Sequence, residues 1–99
     1  MSVMINIDVI ISKKRRWDLK NHLISSDIRY WEWFTEFDLE DAIISIETDA
    51  INTVKEIYDF LEKMQSESRV ILPNGTRIKT REKTFKEIEK YLDEILEGE

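Results

Sequence analysis

Few residues in this chain are of types that do chemistry, and their spacing narrows them further. His22 is the single histidine, set beside Leu23 in a helical stretch, so no second imidazole stands at a metal-binding spacing from it. Cysteine is absent, which removes thiolate nucleophiles, disulfides and cysteine-based zinc or iron–sulfur centres. A serine nucleophile needs a base beside it, and nothing in the pattern supplies one. With Gly75 and Gly98 as the only glycines, no glycine-rich phosphate loop can be built. Carboxylates are plentiful. Asp8 and Glu47 can meet on one sheet face, and Asp38, Glu40 and Asp41 cluster in an acidic turn that lacks the alternation of a calcium loop. Both sets read as solvated surface. The expectation is a chain without catalytic residues, metal or cofactor.

Binding chemistry is better represented. Lys13, Lys14, Arg15 and Arg16 place four cations at a helix start, where the helix dipole is already positive. Such a run attracts phosphate or an acidic protein surface. Arg77, Lys79 and Arg81 alternate along a strand and so share a face, which is also how an edge strand protects itself from pairing. The strongest feature is IRYWEWFTEF, residues 28–37, in which Tyr30, Trp31, Trp33, Phe34 and Phe37 are aromatic. Tyr30, Trp33, Phe34 and Phe37 fit a helical face. The aromatic and β-branched content favours a strand instead. In a strand, Arg29, Trp31, Trp33 and Phe37 share one face, while Tyr30, Glu32 and Phe34 share the other. Helices on one side of a sheet can cover only one of these faces. The other exposes rings, and exposed rings mark interfaces.

The elements that position these residues follow from periodicity. VMINIDVII (3–11) alternates as a strand. SKKRRWDLKNHLISSD (12–27) contains a helix that Ser12 can cap, with Trp17, Lys20 and Ile24 on one stripe and Leu19 and Leu23 on the next. FDLEDA (37–42) is an acidic turn and AIISIETD (42–49) a strand. Asp49 then caps a helix carrying Ile51, Val54, Ile57, Tyr58, Leu61 and Met64 at helical spacing. Asn74-Gly75 lies between two β-prone runs and supplies the positive φ angles of a tight hairpin turn, with Pro73 at the strand end. Thr84 and Glu87 form a capping box for a last helix with Phe85, Ile88, Leu92 and Ile95 on its apolar stripe. The order β-α-β-β-α-β-β-α predicts a single α+β domain over residues 1–99. It has two layers, a ferredoxin-like β-α-β-β-α-β core, and an added C-terminal hairpin strand and helix.

Composition agrees with a small domain. Of 99 residues, 41% are hydrophobic and 36% charged, enough for one modest core under a well-solvated surface. No apolar run reaches membrane-spanning length, and the opening MSVMINIDVII lacks a basic start and a small-residue cleavage site. These features lead to the expectation of an intact, soluble, cytoplasmic chain without a membrane partner. The net charge of −6 is uneven: residues 1–29 carry +3, residues 30–68 carry −9 and residues 69–99 balance. An acidic middle argues against broad nucleic-acid binding and suits a basic protein partner.

Residues 42–80, a strand, a helix and then a hairpin through LPNGTRI, resemble the effector-associated constant component domains of bacterial conflict systems. The resemblance implies a small stand-alone α+β adaptor, encoded beside effector enzymes such as proteases and without catalytic residues. Two functions therefore compete. One is a non-catalytic interaction module that binds an effector or target enzyme through Arg29, Trp31, Trp33 and Phe37, with self-association as a two-fold dimer compatible with the same surface. The other is a small acidic inhibitor of the phage type, blocking the basic groove of a nucleic-acid enzyme.

Overall fold

A computed structural model describes residues 4–33, 40–64, 68–80 and 85–97. Strand β1 spans Ile5–Ser12, helix α1 Arg16–Ser25, strand β2 Arg29–Trp33, strand β3 Asp41–Thr48, helix α2 Ile51–Lys63, strand β4 Ser68–Ile71, strand β5 Arg77–Lys79 and helix α3 Phe85–Glu97. The described strands form one sheet in the order β2-β3-β1-β4-β5, with every neighbouring pair antiparallel. β1 and β2 run parallel with β3 inserted between them, and β3 and β4 likewise flank β1. This is the split β-α-β arrangement taken twice. β5 extends the sheet past β4 by a hairpin, and α3 joins the helical layer. The two-layer α+β architecture expected from the sequence is the one observed.

Alternation fixes which sheet face is covered. Ile5, Ile7, Val9 and Ile11 of β1 are buried, as are Ala42, Ile44 and Ile46 of β3, Val70 of β4 and Ile78 of β5. Apart from Ala42, they meet Leu19 and Leu23 of α1, Val54, Ile57, Tyr58 and Leu61 of α2, and Ile88 and Leu92 of α3 in one core. The second stripe of α1 is therefore the inward one. Trp17 and Ile24 of the first stripe stay more than half exposed, and the Lys20 ammonium lies 4.0 Å from the centre of the Trp17 ring. Among the described residues no helix is long and apolar enough to cross a membrane.

Local signals placed the elements but not the residues that cap and turn them. Ser12 does not cap α1: its hydroxyl accepts from the Lys14 amide at 3.3 Å, and Arg15 takes the N-cap position without a side-chain bond. Asp49 does not cap α2 either. Ala50 is the N-cap, and the hydroxyl of Thr48 accepts the Ala50 amide at 3.2 Å. In the β4–β5 hairpin, Gly75 alone takes a positive φ, +88°; Asn74 does not. The Gly75 amide closes on the Leu72 carbonyl, so Pro73 and Asn74 are the central turn residues, and the Asn74 side chain accepts from Thr76. A three-residue loop with glycine last replaces the expected Asn-Gly pair turn. Asp41 and Ala42 already belong to β3 rather than to an acidic turn. Phe34, Phe37, Asp38, Arg81 and Thr84 lie outside the described residues.

The end of α1 carries its own test. Asp27 has φ +54°, its amide donates to Ile24 and the Ile28 amide donates to Leu23. These two bonds define a Schellman motif with aspartate where glycine is favoured. The aspartate also puts negative charge at the negative end of the helix dipole. Asp27→Gly is expected to raise unfolding stability by about 0.5–1 kcal/mol, read by urea denaturation, because relief of the left-handed strain and of the charge outweighs the added freedom of the unfolded chain.

Candidate functional site

The face of the sheet that the helices leave uncovered gathers the candidate binding residues. Antiparallel register arranges it in rows across the strands. One row reads Trp33, Ile43, Ile10, Arg69, Lys79, from β2 through β3, β1 and β4 to β5. The next reads Trp31, Ser45, Asp8, Ile71, Arg77, and a third begins Arg29, Glu47, Asn6. One edge of the face is therefore aromatic, the middle is apolar and acidic, and the far edge is basic.

Period two decides the fate of the aromatic stretch. Over Arg29–Trp33 the chain is a strand, with Arg29, Trp31 and Trp33 exposed, and Tyr30 and Glu32 turned toward the helices and half-buried. Trp31 is 40% exposed and Trp33 54%. Tyr30 packs on the core, and Glu32 faces Lys20 of α1 with its oxygen 3.6 Å from the ammonium. β2 is an edge strand, and a charge pointing inward from an edge discourages pairing with a further strand.

Trp33 is not a loose ring. Its indole N–H donates to the Ser45 hydroxyl at 2.6 Å, and that hydroxyl donates to a carboxylate oxygen of Asp8 at 2.5 Å. Ser45 is only 4% exposed, so the Asp8 carboxylate satisfies it and it in turn orients the indole. A ring already fixed in one orientation loses less freedom on binding. Half-buried Ile10, Ile43 and Ile71 continue the apolar surface beyond it.

The remaining candidates are placed elsewhere or differently. Lys13, Lys14 and Arg15 form the β1–α1 connection and Arg16 opens α1, at the opposite end of the sheet from Arg29. Lys14 and Arg15 are exposed, Lys13 and Arg16 half-buried. Arg15 pairs with Asp18 at 3.5 Å, so the helix answers part of the charge that opposes its dipole. Asp8 and Glu47 do share the open face, one row apart, but Asp8 serves Ser45. Among the described residues no group of three or more His, Cys, Asp or Glu side chains is placed to hold a metal ion. His22 stacks on Phe60 of α2, with ring centres 4.4 Å apart and planes within 7°, which makes it a packing residue between two helices.

Two features of the face escape single-strand reading. The Trp33–Ser45–Asp8 chain joins three strands, and only register brings it together. Arg69 was a lone cation in the sequence, yet it stands directly opposite Lys79 and beside Arg77 around a shallow cleft of about 240 Å³. Alternation within β4 does put Arg69 on the face opposite Val70, which was the available signal. No protein-family model matches the chain, and no curated protein matches its sequence.

Proposed function

We propose that the chain is a non-catalytic protein–protein interaction module and that the open sheet face is its binding surface. The observation that carries this reading is the exposure of two tryptophans on one strand, one of them pinned by a buried hydroxyl. Tryptophan and arginine dominate binding energy at interfaces, and Trp31, Trp33 and Arg29 share this face. An uncovered antiparallel face is ordinarily polar; one that carries two large rings and three isoleucines is shaped for contact. The resemblance of residues 42–80 to adaptor domains of conflict systems supports an effector enzyme as the partner and a microbial defence setting.

The test uses the purified protein products of the neighbouring genes, mixed with this protein and with its Trp31→Ala/Trp33→Ala variant. Each truncation at an interface anchor costs at least about 2 kcal/mol, so the double change is expected to weaken binding by a hundredfold or more. A modest loss of stability accompanies it, about 1 kcal/mol from the lost indole–Ser45 hydrogen bond, well short of unfolding. Binding that survives the double change and instead weakens steeply with salt would remove this reading and favour the acidic inhibitor.

A further inference from the structure

The two edges of the open face differ in charge, and that difference says what kind of segment fits it. Arg69 and Lys79 face each other across β4 and β5, and Arg77 follows on the same side. Like charges directly opposite one another destabilise a strand pair. Among the described residues neither Arg69 nor Arg77 has a carboxylate within ion-pairing distance. Arg69 and Arg77 thus line one cleft, with Lys79 beside them, in a chain whose net charge is −6. At the other edge the rings of Trp31 and Trp33 adjoin Ile43 and Ile10. Between the two edges stand Glu47 and Asp8, and the Asp8 carboxylate accepts from Ser45.

We infer that the face takes an extended acidic-tailed segment of a partner protein, with its apolar end on Trp31, Trp33 and Ile43 and its carboxylates in the cleft of Arg69, Arg77 and Lys79. This rests on the proposed function and gives the partner a chemistry. Strands lie about 4.8 Å apart, so the apolar anchor and the cleft are separated by roughly 14 Å, or about four residues of extended chain. Arginine suits the carboxylate end because its planar fork donates to two carboxylate oxygens at once. The acidic residues of the middle strands discriminate between ligands. A nucleic-acid strand carries a phosphate at every step and must bring several across Asp8 and Glu47. A peptide with an uncharged middle carries its negative charge only at the basic edge.

The experiment uses a fluorescent synthetic peptide with paired leucines at one end, an uncharged serine spacer of about four residues and a run of glutamates at the other. Anisotropy is read against this protein, its Trp31→Ala/Trp33→Ala variant and its Arg69→Glu/Arg77→Glu variant, with an oligothymidylate as competitor. The peptide is expected to bind, to lose about tenfold in affinity on the charge reversal, and to lose affinity again on the tryptophan change. An Arg69→Lys/Arg77→Lys variant, which keeps the charge but loses the planar fork, is expected to bind with an affinity between those of the parent and the charge reversal, so that loss through charge is separated from loss through misfolding. Weakening by the tryptophan change with none by charge reversal overturns this inference and leaves the interaction surface standing. Weakening by neither overturns both. Tighter binding of the oligothymidylate than of the peptide overturns the inference in favour of a single-stranded nucleic acid.

Discussion

Lys20→Met is expected to lower unfolding stability by about 2 kcal/mol, and adding Glu32→Leu is expected to restore most of it. The two groups face each other across the α1–β2 contact at 3.6 Å, with side chains only 13% and 8% exposed. One carboxylate oxygen of Glu32 is shut off from solvent and accepts no hydrogen bond, so the nearby ammonium is its main compensation. Methionine keeps the length of the lysine stem, and its packing over Trp17, while deleting the charge. The carboxylate is then left uncompensated on the covered face of the sheet. A fully buried pair broken in this way costs about 3–5 kcal/mol, and the residual exposure here argues for the lower figure. Leucine at position 32 removes the stranded charge and adds apolar area beside Ile44, its cross-strand neighbour. Urea unfolding of the parent, the single and the double variant measures all three. The double variant carries a second expectation. With the inward charge gone, edge strand β2 loses its guard, so the variant's mass in sedimentation should rise with concentration more steeply than that of the parent. A double variant as unstable as the single one would show that Glu32 contributes through something other than its charge.

The outcome at Glu32 bears on what the sequence could convey. Period two and period 3.6 both fitted residues 28–37, because a helical face and a strand face can be drawn through the same rings. A strand leaves Glu32 on the covered side with Tyr30, which looks unfavourable until α1 supplies Lys20. That compensation is tertiary and has no signature within the stretch. The core was legible because it depends on repetition: Ile5, Ile7, Val9 and Ile11 alternate, and Val54, Ile57, Tyr58 and Leu61 recur at helical spacing. Helix starts were less legible. Ser12 and Asp49 are good cap residues by type, but the chain reaches its helical angles later, and the hydroxyls of Ser12 and Thr48 are used inside the preceding turns. The open sheet face lay between these extremes. Alternation alone put Arg29, Trp31 and Trp33 together, whereas Ser45, Asp8 and Arg69 joined it only through the register of strands distant in sequence.

Tyr58 ties the helical layer to the far edge of that sheet, and its hydroxyl gives stability a dependence on alkaline pH. The ring is buried on α2 and the hydroxyl donates to the backbone carbonyl of Thr80, just past β5. Burial, reinforced by the negative charges of Glu62 and Glu87, pushes the phenol up from 10.0 to about 12. The folded state therefore holds this proton more tightly than the unfolded state does. Below pH 10 the phenol is neutral in both states and its contribution to stability is complete. As pH rises from 10 to about 12 the unfolded chain ionises first, and that contribution is progressively lost, about 2–3 kcal/mol over the interval. Tyr58→Phe should show the opposite trade. At pH 8 it leaves the Thr80 carbonyl without its donor, a loss of about 1–2 kcal/mol. Phenylalanine has no proton to lose, so the stability gap between parent and variant should close as pH rises and vanish or reverse near pH 12. Urea unfolding of the two proteins in parallel from pH 8 upward isolates this group, because every other titration is common to both. A gap that stays constant across the interval would mean that the phenol ionises as readily in the folded chain as in the unfolded one, and that the tie between α2 and the β5 edge is not buried from solvent.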